Sequence, residues 1–208
     1  MNILKFTPSQ VEVELPETVM ALAKQFRSEM MDEGELAHLA ACLALSPWTG
    51  KEIVVEIGTY IGITAAFLAK TLRLLGREGG KILSIDPFER LPQEELNAQG
   101  SYSKYLETIS KNMVEDICLP LIALSGQAAP VVPEKIGLLI VDGSHLFPGV
   151  MQDLELYSPK VVPGGIVFLD DYVPPYPGVQ RAIDEFFTPD KPWSILHKTY
   201  FVAMRRNA

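Results

Sequence analysis

Glu56-Ile57-Gly58-Thr59-Tyr60-Ile61-Gly62 is the stretch that decides how this 208-residue chain folds. The apolar run Ile53-Val54-Val55 leads into it, and Thr64-Ala65-Ala66-Phe67-Leu68-Ala69-Lys70 reads as a helix leaving it. An apolar strand, a glycine-bearing turn and a helix start together make a ligand site. Gly58 and Gly62 permit close backbone approach, and the helix start offers N–H groups to an anion. Glu56 sets the chemistry, because a carboxylate at a strand end suits an ammonium or a hydroxyl and repels a pyrophosphate. The dinucleotide fingerprint G-x-G-x-x-G is not what this turn spells.

Outward from the turn, short apolar runs at 53–57, 81–85, 119–124, 137–141 and 165–169 read as strands. Helical patterns at 63–76, 102–115, 148–157 and 178–187 separate or follow them, and 16–31 and 34–45 read as two N-terminal helices. Such alternation implies an α/β fold with a parallel sheet covered by helices on both faces. Trp193 to His197 and Thr199 to Met204 read as a terminal hairpin, which closes the sheet in antiparallel fashion. Pro163-Gly164-Gly165 predicts a sharp turn into the fifth strand, and Pro174, Pro175 and Pro177 a rigid loop after it. With no internal repeat, residues 1–208 read as a single domain, with the helices of 1–48 as a cap over the sheet edge or the substrate side.

Composition narrows the function. A net charge of −8 lacks the basic footprint of a nucleic-acid binder, so nucleic acid is not an expected partner. Cys42 and Cys118 form no C-x-x-C, and Cys42 in its apolar helix reads as a buried free thiol. Neither a signal peptide nor an apolar run of about 20 residues is visible. The expected location is cytoplasmic, away from membranes.

Open α/β sheets bind ligands beyond the carboxyl ends of their strands. Each end here carries polar residues: Glu56, Asp86, Ser125-Gly126-Gln127, Asp142 and the pair Asp170-Asp171. Asp86 suits two vicinal hydroxyls or serves as a turn-former before Pro87. Thr64, at the helix start, reads as a helix cap. Leu138-Leu139-Ile140-Val141-Asp142 and Ile166-Val167-Phe168-Leu169-Asp170-Asp171 are buried-strand patterns ending in acids. As neighbours in a parallel sheet, they bring three carboxylates into one crevice, where repulsion calls for protons or a cation. Hard oxygen donors favour Mg²⁺, Mn²⁺ or Ca²⁺. His145, three residues beyond Asp142, is the candidate proton acceptor.

The Glu56–Gly62 turn resembles motif I, E/D-x-G-x-x-x-G, of the class I S-adenosylmethionine-dependent methyltransferases. Asp142-Gly143-Ser144-His145, with Pro163-Gly164-Gly165 and Asp170-Asp171-Tyr172, resembles metal-dependent O-methyltransferases of the catechol type. It is closer to sugar and macrolide O-methyltransferases and the cephalosporin-hydroxylase-like group. The resemblance spans roughly residues 35–190. It implies a Rossmann-like fold with a mostly parallel seven-stranded sheet and a C-terminal antiparallel hairpin. It implies S-adenosylmethionine held by Glu56, Gly58, Thr59, Tyr60, Gly62, Thr64, Asp86, Gly126, Gln127 and Asp142. It implies a divalent metal, Mg²⁺ first, on Asp142, Asp170 and Asp171, with His145 or Asp142 as the base. The acceptor is then a hydroxylated small molecule (a sugar, polyketide or phenol) and the assembly a homo-oligomer, dimer or higher. Catechol-type enzymes carry lysine where His145 stands, which argues against a catechol. Phe88 to Tyr105 and Tyr172 to Pro177 border the expected crevice. The rival readings are a catalytically silent cofactor-binding protein and a nicotinamide-dependent oxidoreductase. Glu56 and the missing fingerprint oppose the second.

Overall fold

The computed structural model describes residues 2–88 and 102–207, so most of the Phe88–Tyr105 stretch lies outside the described residues. A hairpin of β1 (Asn2–Lys5) and β2 (Glu12–Leu15) leads into α1 (Glu17–Phe26) and α2 (Glu33–Leu45). Then come β3 (Ile53–Ile57), α3 (Ile63–Leu74), β4 (Ile82–Asp86), α4 (Tyr102–Lys111) and β5 (Cys118–Ile122). Next are α5 (Ser125–Ala128), β6 (Ile136–Val141), α6 (Phe147–Tyr157), β7 (Val161–Leu169) and α7 (Pro177–Phe186). The chain ends with β8 (Trp193–Lys198) and β9 (Val202–Arg206).

The expected sheet forms. Its order is β5-β4-β3-β6-β7-β9-β8. The first five strands pair in parallel, and β9 is antiparallel to both β7 and β8. From β3 the chain steps outward to β4 and β5, then returns to place β6 on the other side of β3. That reversal between β3 and β6 is the topological switch point, where such sheets open a ligand crevice.

Alternation along the central strands builds the two faces. Val54, Leu138, Ile140, Ile166 and Phe168 join the core under α1 to α4. Val55, Leu139, Val141, Val167 and Leu169 join the core under α6 and α7. Burying each such side chain is worth about 1.5–3 kcal/mol, against about 1 for a helix cap, so the sandwiched strands set the architecture. Glu56 alternates with Val54, which turns its carboxylate into the face covered by α1 to α4.

Several local outcomes differ from expectation. Glu12-Val13-Glu14-Leu15 forms a strand, with both apolar residues buried and both acids exposed. Its hairpin docks on β8: Thr7 N–H donates to His197 Nδ1 at 3.1 Å, and Lys198 N–H to Thr7 O at 2.7 Å. The first helix stops at Phe26, because Arg27 leaves helical geometry and the Ser28 hydroxyl captures the N–H groups of Met30 and Met31. A capping box of Asp32 and Glu35 then starts α2. Residues of α1 and α2 join the core on one face of the sheet. Pro163-Gly164-Gly165 sits inside β7 as a bulge: Ile136 pairs with Val161 while Leu138 pairs with Ile166. The terminal hairpin turns through 199–201, so β9 begins at Val202.

Candidate functional site

Backbone hydrogen bonds carry the sheet register past the strand ends. Gly58 N–H donates to Ile85 O at 2.9 Å, Asp142 N–H to Ile57 O at 3.0 Å, and Asp170 N–H to Val141 O at 3.3 Å. Asp86, Gly58, Asp142 and Asp170 therefore follow one another along the carboxyl rim of β4, β3, β6 and β7. Tyr60, Phe88 and Asp171 on the same rim have positive φ of 52°, 52° and 58°. A non-glycine residue in that region costs of order 1–3 kcal/mol and persists where its surroundings over-determine it.

The two glycines of the turn serve the chain's own packing. Gly58 has φ +85°, and a Cβ there would lie 2.2 Å from Asp142 O. Gly62 has φ +79°, and its Cβ would meet the Tyr105 ring at 2.7 Å. The turn is thereby pressed onto the Asp142–Gly143 backbone on one side and onto α4 on the other. Glu56 is 1% exposed and accepts from the Ser84 hydroxyl at 3.0 Å. Burial raises its carboxyl to about 7, against the opposing help of Thr59 and Ser84. Asp86 accepts from Tyr60 N–H at 2.8 Å and Phe88 N–H at 2.6 Å, which ties the glycine turn to the end of β4. Burial raises Asp86 above its ordinary value, and those N–H donors pull it back. Each of its oxygens keeps a further lone pair for a ligand hydroxyl.

Thr64 does not cap its helix. Gly62 occupies the N-cap without a side-chain bond, and the Thr64 hydroxyl lies 3.7 Å from Met31 Sδ. The first-turn N–H groups of α3 have no intrahelical acceptor and suit an anion. Gly126 and Gln127 belong to the short helix α5 rather than to a loop. Gln127 Oε1 accepts weakly from Leu124 N–H at 3.4 Å, and a Cβ on Gly126 would meet Gln152 at 3.1 Å.

The acidic half centres on Asp142, His145 and Asp171, which each offer a ligand atom within 4.8 Å of the others. His145 Nε2 lies 2.7 Å from Asp171 Oδ2, and the His145 ring stacks on Tyr176 with centroids 4.4 Å apart. Asp142, His145, Asp170 and Asp171 line one small pocket with Val141, Val150, Leu169 and Val179. Burial, then repulsion from Asp170 and Asp171, pushes the Asp142 carboxyl well above its ordinary range. This donor set fits a hard dication, which would relieve that repulsion.

Asp170 behaves differently from its expected partners. It is 7% exposed, and its Oδ1 accepts from Asp171 N–H at 2.8 Å. Its carboxyl is raised to about 6, by burial first and Asp171 second. Glu35 is itself buried and raised to about 8, by burial first and Asp170 second. The structure thus brings Asp142 and Asp171 together with His145, and sets Asp170 against a residue that sequence reasoning missed. The Asp32-x-x-Glu35 spacing signals a capping box, but nothing local signals its reach to β7. His38 and His197 lie in a ring cluster with Phe6 and Phe201.

Residues 55–172 match the family described as a methyltransferase domain. The chain belongs to that family. Its class is the S-adenosylmethionine-dependent class I group that the motifs resemble. Among solved structures, the methyltransferase domain resembles the O-methyltransferase NovP at TM-score 0.68 and 19% identity, covering 83% of this chain and 79% of that one. It resembles the calicheamicin methyltransferase CalS11 at 0.61 and 17%, over 98% and 95% of the two chains. It resembles the O-methyltransferase TomG of Streptomyces achromogenes, solved with S-adenosylmethionine, at 0.58 and 18%, over 94% and 92%. At those identities the likeness is one of fold. A curated relative, the uncharacterised protein R132 of Acanthamoeba polyphaga mimivirus, is 26% identical over 126 residues. That match takes in 57% of this methyltransferase chain and 50% of the relative, so the chain spans about half the length of the protein it matches. No helix among the described residues is long and apolar enough to cross a membrane.

Proposed function

We propose that this methyltransferase domain, acting as one unit over 1–208, transfers a methyl group to a hydroxyl of a small molecule with help from a divalent metal. The observation that carries this reading is the convergence of Asp142, His145 and Asp171 one strand from the glycine turn. Plain cofactor binding gives no reason to gather two carboxylates and an imidazole there. Similarity in fold to NovP, CalS11 and TomG supports an oxygen acceptor, and the calicheamicin enzyme supports a sugar or polyketide.

In this reading the turn Gly58–Gly62 and Thr64 hold the methionine end of S-adenosylmethionine, Asp86 holds the ribose hydroxyls, and Gly126 and Gln127 border the adenine. Asp142 faces both halves. Glu56, buried beneath the turn, accepts from the Ser84 hydroxyl and so ties the end of β3 to β4. When bound, the cofactor supplies an electrophilic methyl and the metal lowers the pKa of a coordinated hydroxyl. Asp142 and Asp171 hold the metal, with Asp170 behind them. His145 takes the acceptor proton, while its Nε2–H donates to Asp171 and its ring stacks on Tyr176, which hold the imidazole in place. An imidazole would suffice near neutral pH for an acceptor hydroxyl that a bound metal acidified.

The test is methyl transfer from S-adenosylmethionine to a panel of hydroxylated sugars, polyketides and phenols, read by mass spectrometry with and without EDTA. The reading expects a product 14 Da heavier, lost on chelation and restored by Mg²⁺ or Mn²⁺, the mass being that of CH₂ as in any methylation. Full turnover in excess EDTA removes the metal from the proposal, and tight NAD binding without S-adenosylmethionine binding overturns all of it.

A further inference from the structure

Among the described residues β5 pairs only with β4, so the chain leaving its carboxyl end has a strand on one side alone. That chain is α5, which carries Gly126 and Gln127 and has four residues. A single helical turn does not hold itself in water, so its place is set by what it touches. The contacts come from α6. Tyr157, the last residue of α6, is fully buried in the core that includes Val150 and Leu154. A buried phenol usually finds one hydrogen-bond partner, and here the Tyr157 hydroxyl donates to Ser125 O at 2.6 Å. Ser125 O also accepts from Ala129 N–H, the bond that closes α5. Earlier on α6, Gln152 lies against Gly126, where a Cβ would meet its Oε1 at 3.1 Å. One helix therefore locates α5 twice, at its first carbonyl and at its glycine.

We propose that Tyr157 is a positioning residue for recognition of the cofactor's base: by holding Ser125 O, its hydroxyl fixes where Gly126 and Gln127 present their polar groups. This inference rests on the reading above that these two residues border the adenine, and it names the side chain behind them. It does not depend on the metal. Hydrogen bonds weaken steeply as donor and acceptor lose alignment, so a tilted α5 loses its grip on the base edge first. The methionine end, held at the glycine turn on β3, is left as it was. One neutral hydrogen bond is worth about 2–10-fold in an equilibrium constant, which sets the size of the effect.

The test is titration calorimetry of the full chain with S-adenosylhomocysteine and, separately, with S-inosylhomocysteine. The second differs only at the base edge, where a carbonyl and a ring N–H replace the amine and the bare ring nitrogen. The parent is expected to prefer the adenosyl compound. Tyr157→Phe keeps the ring and loses the hydroxyl. Ser125 O still accepts from Ala129 N–H, so no buried carbonyl is orphaned and the variant is expected to fold. It is expected to bind S-adenosylhomocysteine about 5-fold more weakly and S-inosylhomocysteine within about 2-fold of the parent, which narrows the preference. Leu154→Val trims the same buried helix and removes no hydroxyl, so it is expected to lower Tm and spare the preference. A Tyr157→Phe variant with the parent's preference intact, or with equal loss of both compounds, overturns the proposal. So does a Leu154→Val variant that narrows the preference as far. A parent that binds both compounds equally removes the adenine reading beneath the proposal, and the proposal with it.

Discussion

His145 and Asp171, 2.7 Å apart, are the pair on which the proposed chemistry turns. Replacing His145 with alanine is expected to lower kcat about 10²-fold, the usual contribution of a general base. An unchanged kcat in that variant assigns the proton to Asp142. Asp142→Ala is expected to remove activity to below about 1% of the parent, since the proposed reading gives Asp142 a part in holding both cofactor and metal, and initial rates at saturating S-adenosylmethionine measure this. At this scale the sequence was legible where chemistry was written locally. Asp142 and Asp170 follow apolar strands whose register places them side by side, and Asp171 comes next in the chain. Glu35 was hidden because its partner lies across the fold, and its capping box fully accounts for its presence in a helix start. The two glycines were legible as a sharp turn, but the backbone and the ring they approach belong to the protein.

The elements around the site are packed so closely that a single methyl group is felt. A Cβ on Gly178, at the start of α7, would lie 2.6 Å from both His145 O and Phe147 N. These are backbone atoms and yield only if the loop carrying His145 moves. Gly178→Ala is therefore expected to cost about 1–3 kcal/mol in urea unfolding and to lower kcat more than it raises KM. A variant as stable and active as the parent contradicts that packing. Long apolar strands and the terminal hairpin were legible from periodicity, since β6 is buried along its whole length. The N-terminal hairpin was not. Its strands are four residues each and pair with one another, and the turn between them bonds to β8, at the opposite end of the chain. The bulge in β7 also escaped, because Pro163-Gly164-Gly165 is equally the signature of a turn.

At the scale of the whole molecule, buried acids set the pH dependence of the metal-free protein. Glu35 and Glu56 are raised by burial from 4.5 to about 8 and about 7. A raised carboxyl gives stability that is complete below its unfolded value and lost as pH rises through its folded value. His197, lowered from 6.5 to about 4 by burial and His38, acts oppositely and removes stability as pH falls below 6.5. Thermal melts in EDTA are thus expected to fall from pH 6.5 to 8.5, by on the order of 5 °C at about 2–4 °C per kcal/mol. Glu35→Gln should flatten that limb. A Tm that climbs over the same interval contradicts the burial of these acids.

Anomalous diffraction at the manganese edge, from a crystal grown with S-adenosylhomocysteine and Mn²⁺, looks at the chemistry where it is claimed to happen. The account predicts a single strong peak between the carboxylates of Asp142 and Asp171, beside a nucleoside whose ribose meets Asp86. A nucleoside in that place with no peak, and His145 still bonded to Asp171 at 2.7 Å, would contradict it.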